Sequence, residues 1–340
     1  MTSSITRRGF VAGASSLAAA GTLSGCGSPD DQVVVRPEGV PVGPFGSQST
    51  AEEVTAELDL SGMTALVTGC NSGLGYETMR VLALRGATVI GAARTQEKAA
   101  EACASVSIGA TLPVVCELGD LDSIAACGEA VRGLGMPLDM LILNAGIMAL
   151  PELEQVRGLE RQFAINHLGH FVLTNQVLRL VEQAPQGRVV VVSSSGHQFA
   201  PAGGIDFAAL SGEDDYDPWQ SYGISKLANG LFSLELSRRL AGSKATSNSV
   251  HPGIINTPLG RHFPWWQKVA ADLIGWTFMK TVEQGAATQC YVATAPGLSA
   301  SSGGYFADCN ALLPDPRMMD SEAAARLWAV SEELAAGYLI

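Results

Sequence analysis

The chain has 340 residues, of which 47% are hydrophobic, and its mean hydropathy is +0.20. Such a chain can bury a full core, which fits one large globular domain with extensions and excludes a disordered protein. The net charge is -12 and there is no long basic run, so we expect no binding to nucleic acid or to an anionic membrane surface through charge.

The N-terminus has the pattern of a targeting segment. Arg7 and Arg8 precede a mild hydrophobic run at 10–23, which resembles a twin-arginine export signal. The run is too short, and too rich in Gly, Ala and Ser, to span a membrane stably. It ends in the tetrapeptide L-S-G-C, which resembles a bacterial lipoprotein box whose lipidated residue is Cys26.

We therefore predict a signal peptide at 1–26, a tether at 27–57 and a folded domain at 58–340. The tether is rich in Gly, Pro, Ser and Val, a composition typical of linkers. The protein is then expected to be exported to the cell envelope or periplasm, with a lipid on Cys26 as its one attachment to a membrane. The alternative is a frayed N-terminal tail with a chance cysteine.

From residue 58 onward, short apolar runs alternate with stretches of helical periodicity. The strands are predicted at 64–68, 87–92, 112–116, 138–143, 188–193, 246–250 and 304–306. The helices are predicted at 73–85, 95–104, 120–132, 159–181, 222–240, 282–295 and 321–339. The runs at 140–143 and 189–192 are continuously apolar, as in strands covered on both faces. The pattern predicts an α/β fold with a doubly wound parallel sheet, and ligands are expected beyond the carboxyl ends of its strands.

The first predicted strand leads into a glycine-rich turn at 68–75, with the sequence T-G-C-N-S-G-L-G. Glycines allow a tight turn and let backbone amides approach a diphosphate, while the following helix directs its first N–H groups at the anion. A purely structural turn is the alternative. The predicted cofactor contacts in this turn are Gly69, Asn71, Ser72, Gly73, Leu74 and Gly75.

Arg94 follows the second predicted strand, where folds that select NAD usually carry an acidic residue for the ribose 2′-OH. A guanidinium can instead hold a 2′-phosphate through two hydrogen bonds. Arg94 therefore favours NADP over NAD as the cofactor. NAD remains the alternative, with Arg94 then a solvated residue at a helix start.

Tyr222 and Lys226 stand four residues apart at the head of a predicted helix, which places them on one face. A lysine cation beside a phenol is expected to lower the phenol pKa from about 10 toward neutrality. Such a phenol can donate or accept a proton at a carbinol or carbonyl oxygen. The pair is common by chance, so its meaning depends on the rest of the chain.

Six motifs in the same order resemble the classical short-chain dehydrogenase/reductase family, over about residues 60–310. They are the T-G-x-x-x-G-x-G turn, N-A-G at 144–146, the helix asparagine at 166, the serines at 193–195, Y-x-x-x-K at 222–226 and P-G at 252–253. The resemblance implies a single Rossmann-type sheet with helices on both faces. It also implies hydride transfer between NAD(P) and an alcohol or carbonyl substrate, which the loops suggest is apolar.

The resemblance also implies residue roles. Tyr222 is the acid/base, Lys226 lowers its pKa, and Asn166 positions a water in the proton relay. Ser194 orients the carbonyl, with Ser195 as the competitor. The remaining predicted cofactor contacts are Glu117, Leu118, Asn144, Ala145, Gly146, Tyr222, Lys226, Pro252, Gly253, Ile255 and Thr257.

Within the family, the sequences around Asn166, Ser194 and Tyr222 resemble the branch of retinol dehydrogenases and WW-domain oxidoreductases. One departure concerns adenine recognition, because the family commonly has Asp where this chain has Glu117.

The seven cysteines and five histidines show no metal-ligand spacing, so no metal site is expected. The sequence permits a homo-oligomer. The rival functional class is a non-catalytic NADP-binding sensor or scaffold.

Overall fold

The computed structural model describes residues 37, 39–255 and 279–340. Within them the strands are β1 (Thr64–Thr68), β2 (Thr88–Ala93), β3 (Ala110–Val115), β4 (Met140–Leu143), β5 (Gln155–Val156), β6 (Leu159–Glu160), β7 (Arg188–Val192), β8 (Thr246–His251), β9 (Tyr305–Ala307) and β10 (Asn310–Leu312). The α-helices are α1 (Ala51–Val54), α2 (Gly73–Leu84), α3 (Gln96–Ser105), α4 (Leu121–Gly133), α5 (Arg161–Phe163), α6 (Gly169–Gln183), α7 (Pro218–Arg239), α8 (Val282–Thr294) and α9 (Ser321–Leu334).

One mostly parallel sheet has the order β10-β9-β8-β7-β4-β1-β2-β3. The chain starts in the middle with β1, which pairs with β2 on one side and β4 on the other. All residues of β1, β4 and β7 are buried, because helices cover both faces of the sheet. The predicted α/β fold with a doubly wound sheet is therefore confirmed. The sheet order reverses between β1 and β4, which is where such folds bind ligands.

Two short pieces of β structure were not predicted. β10 adds an antiparallel edge strand to β9. β5 and β6 form a small hairpin whose two turn residues, Arg157 and Gly158, both have positive φ (55° and 78°), as a tight two-residue turn requires. This hairpin occupies the start of the helix predicted at 159–181, and the helical segment begins at Arg161 instead.

Residues 43–57 pack against the domain, although they fall within the predicted tether. The ring of Phe45 meets Tyr291 edge to face at 5.7 Å, and Asn310 Nδ2 donates to the Phe45 carbonyl at 2.9 Å. A capping box between Thr50 and Glu53 caps the N-terminus of α1, and Ala51 is fully buried. The folded domain thus begins before the expected boundary at residue 58.

The C-terminal helix α9 covers the aromatic side chains of α6 and α7. Trp328 lies edge to face with Phe171 at 5.0 Å and stacked on Phe232 at 5.8 Å. The Arg239 guanidinium lies 4.1 Å from the Trp328 ring. The predicted helix at 321–339 is present but ends at Leu334. In the part of the chain that the structure describes, no helix is both long and apolar enough to cross a membrane.

Candidate active site

The glycine-rich turn between β1 and α2 is built for close approach of its backbone. Gly69 and Gly73 have φ of 71° and 53°, in the left-handed region that favours glycine. A Cβ on Gly75 would lie 2.3 Å from the Gly69 carbonyl oxygen, so any side chain there would push the turn apart. Ser72 precedes α2 without a side-chain cap bond, which leaves the first N–H groups of the helix to a ligand.

Thr68 and Asn144 hold this turn in place through hydrogen bonds. The Thr68 hydroxyl oxygen accepts from the backbone N–H groups of Asn144 and Ala145, at 2.9 and 3.0 Å. Asn144 Nδ2 in turn donates to the Thr68 carbonyl at 2.9 Å. Gln289 of α8 donates to Asn144 Oδ1 at 3.3 Å and to the Leu74 carbonyl at 3.4 Å. The turn, the N-A-G segment and α8 are therefore one hydrogen-bonded unit.

A cavity of about 510 Å³ opens along the carboxyl ends of β1 to β4. Its volume is in the range of small-molecule and cofactor sites. Eleven of the residues predicted to bind cofactor line it: Gly69, Asn71, Ser72, Gly73, Leu74, Arg94, Glu117, Leu118, Asn144, Ala145 and Gly146.

Arg94 follows β2, Glu117 follows β3, and both line this cavity. Arg94 is exposed, and its side chain forms no hydrogen bond or ion pair with the described residues, so its guanidinium is available to an anion. Glu117 Oε1 accepts from the Gly119 N–H at 3.2 Å. Part of the Glu117 carboxylate is therefore occupied in shaping its own loop.

Asn166 lies in a π-helical segment, Ala164–Leu168, between α5 and α6. Its side chain is fully buried: Oδ1 accepts from Ile147 N at 2.8 Å, and Nδ2 donates to the Ile147 carbonyl and to Ser225 Oγ, both at 2.9 Å. Ser225 Oγ donates to the Tyr222 carbonyl at 2.8 Å. Short π segments are frequent at functional sites. This one ties the N-A-G segment to the helix of Tyr222.

The three serines after β7 have different surroundings. Ser193 is buried and donates to the Lys226 carbonyl at 2.7 Å. Ser194 Oγ accepts from Gly196 N at 3.0 Å and is near enough to the Tyr222 phenol to lower its pKa in part. The backbone N–H of Ser195 donates to His251 Nδ1 at 3.2 Å. The hydroxyl that faces the phenol is thus that of Ser194.

Tyr222 and Lys226 lie on one face of α7, whose start is set by the Asp217 cap and Pro218. Lys226 Nζ lies 5.8 Å from the centre of the Tyr222 ring and donates to the Val192 carbonyl at 3.0 Å. A Cβ on Gly146 would lie 3.6 Å from Lys226 Nζ, so the ammonium is close to a residue of the cavity wall, although Tyr222 and Lys226 do not themselves line the cavity.

The protonation behaviour of this pair differs from the prediction. Burial raises the pKa of Tyr222 to about 12, although the nearby Ser194 hydroxyl lowers it in part. Burial also lowers the pKa of Lys226 to about 8. Both side chains are 4% exposed, and desolvation outweighs the attraction of the ammonium for a phenolate. In the protein alone, Lys226 therefore does not bring the Tyr222 pKa below its ordinary value.

The segment after β8 lies close to the glycine-rich turn. A Cβ on Gly285 would lie 2.4 Å from Ile255 Cδ1 and 2.7 Å from Leu74 Cδ2, which makes Ile255 and Leu74 neighbours. Gly253 has φ of 104° beside Lys280, and Pro252 is buried. Pro252, Gly253 and Ile255 do not line the 510 Å³ cavity. Thr257 lies outside the described residues, as do Arg7, Arg8 and Cys26.

Eight cavity-lining residues were not predicted as site residues: Thr68, Ala93, Cys116, Ile147, Leu150, Glu154, Arg161 and Ile165. Arg161 forms an ion pair with Glu154, and its Nε is buried without a partner among the described residues. Ile147 directly follows the N-A-G motif, which is a signal that the sequence contains. The contribution of Arg161 depends on the unpredicted β5–β6 hairpin.

The six cysteines in the described residues are buried free thiols. No group of His, Cys, Asp and Glu side chains in that part of the chain could hold a metal ion.

Several known proteins are similar to this chain. The family model for short chain dehydrogenase matches residues 63–268. A chloroplastic short-chain dehydrogenase, TIC 32 B of Brassica napus, is 40% identical over 301 residues, covering 85% of this chain and 94% of the relative. Human retinol dehydrogenase 14 is 39% identical over 292 residues, covering 80% and 86%. Human WW domain-containing oxidoreductase is 38% identical over 299 residues, covering 85% and 72%.

The chain belongs to the short chain dehydrogenase family, and it is an NAD(P)-dependent dehydrogenase/reductase. Among solved structures, an uncharacterised protein from Mycobacterium paratuberculosis superposes with a TM-score of 0.65 at 34% identity, covering 84% of this chain and 96% of that one. An angucycline C-6 ketoreductase with bound NADP superposes with a TM-score of 0.59 at 27% identity, covering 73% and 95%.

Proposed function

We propose that the protein is an NADP-dependent oxidoreductase that transfers hydride between the nicotinamide and an apolar alcohol or carbonyl substrate. The observation that carries the proposal is the proximity of the Ser194 hydroxyl to the Tyr222 phenol, with Lys226 beside the Tyr222 ring and close to Gly146 of the cavity wall. This arrangement offers a proton donor or acceptor and a second hydrogen-bond donor to one substrate oxygen.

The cofactor fit rests on the backbone of the glycine-rich turn. The positive φ of Gly69 and Gly73 and the crowded position of Gly75 keep side chains away from the first N–H groups of α2. Those N–H groups suit a diphosphate. The nicotinamide ring would supply the hydride chemistry.

Ser194 fixes and polarises the substrate oxygen: its oxygen accepts from Gly196 N, which leaves its O–H to donate to the substrate. Tyr222 gives or takes the proton at that oxygen. Positive charge near a phenol favours the phenolate. Lys226 provides one such charge, and an oxidised nicotinamide would add a second to offset the burial of Tyr222. Asn166 holds Ile147 and Ser225 and so keeps the relay side of the site in register.

The preference for NADP is supported by Arg94. This exposed guanidinium lines the cavity after β2. Its planar fork of N–H donors can form two parallel hydrogen bonds to the oxygens of a 2′-phosphate. The ketoreductase at 27% identity carries NADP in the same fold.

The apolar character of the substrate is supported by the aromatic side chains around Tyr222. Trp219 lies 6.5 Å from the Tyr222 ring, and Phe199 lies 5.5 Å from Trp219 and is 53% exposed. An exposed phenylalanine beside a catalytic side chain offers an apolar contact surface. Retinol dehydrogenase 14, a relative at 39% identity, is named for an apolar alcohol.

Export remains part of the proposal. The twin arginine, the short hydrophobic run and Cys26 support delivery to the cell envelope as a lipoprotein. Mass spectrometry of the protein from membrane fractions tests this: the proposal requires a chain that starts at Cys26 and carries lipid. A chain that retains residues 1–25 without lipid would refute it.

The decisive experiment compares wild type with Tyr222→Phe in a screen of alcohols, aldehydes and ketones, read as absorbance of NADPH. The variant should lose at least about 100-fold in kcat, as expected for removal of a general acid/base, and should bind NADPH as the wild type does. Full activity in the variant refutes the assignment. Binding of NADPH by a wild type that turns over no substrate would favour the non-catalytic sensor.

The cofactor preference is tested by Arg94→Asp in the same assay. The apparent KM for NADP should rise by about 10-fold or more, the worth of a charged hydrogen-bonding pair, while the KM for NAD changes much less. Equal effects on both cofactors would contradict the 2′-phosphate role.

A further inference from the structure

His170 is a buried histidine on α6 whose two ring nitrogens both have partners. It is 1% exposed; Nδ1 lies 3.0 Å from the backbone oxygen of Asn166, and Nε2 lies 2.9 Å from Thr68 Oγ1. A carbonyl oxygen can only accept, so Nδ1 carries the proton. Nε2 is then an acceptor, and the Thr68 hydroxyl donates to it.

On the Thr68 side, this bond sets the direction of a hydroxyl that holds the cofactor-binding turn. The Thr68 proton points to His170, so its lone pairs face the N–H groups of Asn144 and Ala145. Those two bonds fasten the N-A-G segment to the start of the glycine-rich turn. Without His170 the remaining acceptor for this hydroxyl is the Ile142 carbonyl at 3.5 Å, a longer bond that holds the arrangement less firmly.

On the other side, His170 reaches the catalytic helix through Asn166. The backbone of Asn166 accepts from His170, while its side chain binds Ile147 and Ser225, and Ser225 binds the Tyr222 carbonyl. A continuous buried chain of hydrogen bonds therefore runs from Thr68 to Tyr222. Every bond in it is between 2.8 and 3.0 Å.

We propose that His170 is a positioning residue that joins the cofactor-binding turn to the catalytic helix, acting as a neutral imidazole with its proton on Nδ1. The proposal rests on the proposed function for its kinetic consequences, but the hydrogen-bond arrangement stands apart from it. Burial, and then the nearby charge of Lys226, lower the pKa of His170 to about 4 against the opposing effect of the Asn166 bond. His167, the other titratable group that interacts with it, is also buried, and its pKa is lowered to about 3. The ring therefore stays neutral at physiological pH.

Two substitutions separate the two ends of this link. Gln at position 170 can place an oxygen near the Nε2 position and accept from Thr68, but it loses the bond to the Asn166 carbonyl. His170→Gln should therefore lower kcat by about 10-fold and change the Kd for NADPH by less than about 2-fold. Asn at position 170 can place an N–H near the Nδ1 position but no longer reaches Thr68. His170→Asn should raise the Kd for NADPH by about 10-fold, with a smaller change in kcat at saturating cofactor.

His167→Gln is the matched control, because it has the same residue type three positions earlier. Its ring is equally buried and bonds to Ser331 Oγ of α9 at 2.8 Å, away from the cofactor-binding turn. This variant should have a lower melting temperature, and it should not change kcat and the Kd for NADPH selectively, one without the other. Thr68→Val should reproduce the raised Kd of His170→Asn, and the double variant should show less than the sum of the two effects. The proposal would be overturned if both His170 variants lowered kcat and raised the Kd for NADPH to the same extent.

A measurement on the wild-type protein makes the proposal independent of variant folding and of turnover. Nitrogen-15 NMR of the histidine rings at pH 7 should show His170 as the neutral tautomer protonated at Nδ1. A proton on Nε2, or an imidazolium, would overturn the proposal. A wild type that binds NADPH but has no turnover would refute the proposed function, and the tautomer and the Kd of His170→Asn would then decide the role of His170.

Discussion

Replacing Lys226 by methionine should make the protein more stable while it removes activity. The ammonium is 4% exposed, and burial lowers its pKa from 10.5 to about 8. A depressed lysine pKa means that folding opposes the charged form, at a cost of about 3 kcal/mol at pH 7. The lost hydrogen bond to the Val192 carbonyl offsets about 1 kcal/mol of the gain. That carbonyl keeps a second donor, Asn229 Nδ2 at 3.0 Å, so it is not left unpaired.

The net expectation for Lys226→Met is a gain of about 2 kcal/mol at pH 7 in urea unfolding without added nucleotide. The direction of the Lys226 pKa shift also determines how the free energy of unfolding depends on pH. The unfolded chain binds more protons at Lys226 than the folded chain between pH 8 and 10.5, so the wild type gains stability relative to the variant as the pH rises through this window. The gap between the two proteins should therefore be full at pH 7 and smaller at pH 9.5. A variant less stable than wild type at pH 7, or a gap that does not change with pH, would refute the reasoning.

Three further predictions follow from the geometry of the site and core. Gly75→Ala should destabilise the protein by about 1–3 kcal/mol and weaken NADPH binding measured by fluorescence, because the new Cβ would lie 2.3 Å from the Gly69 carbonyl; an unchanged Kd and melting curve would contradict this. Trp328→Ala should cost about 3–5 kcal/mol in urea unfolding, since the ring packs on two phenylalanines, and a loss below about 1 kcal/mol would count against that packing. Ser194→Ala should lower kcat by about 100-fold while Ser195→Ala changes it little, and the reverse order in steady-state kinetics would assign the role to Ser195.

Much of the fold was predictable from sequence because the pattern of buried strands is strong. The runs that became β4 and β7 are apolar at almost every position, which identifies strands covered by helices on both sides. The β5–β6 hairpin and β10 have two or three residues per strand and mixed polarity, so no periodicity marks them. Residues 43–57 have the composition of a linker, yet Phe45 packs on Tyr291 and Ala51 of α1 is fully buried.

Most of the predicted cofactor contacts in the glycine-rich turn and the N-A-G segment line one cavity, because their motifs follow neighbouring strands. The pKa of Tyr222 could not be predicted from the sequence. The raised pKa of Tyr222 depends on how deeply the ring is buried, and a spacing of four residues says nothing about burial. The separation of Ser194 from Ser195 likewise depends on which hydroxyl faces the phenol, since adjacent residues in an extended chain point in opposite directions.

The docking of residues 43–57 has a practical consequence for anyone who expresses a shortened form of this protein. A Cβ on Gly43 would lie 2.3 Å from the Tyr291 hydroxyl, so the chain is already in contact with α8 at that residue. A recombinant product that starts at the apparent domain boundary, residue 58, would lose Phe45 and α1 and would uncover Tyr291 and the side chain of Asn310. Soluble protein suited to crystallisation should therefore start ahead of Gly43, with any purification tag placed before it.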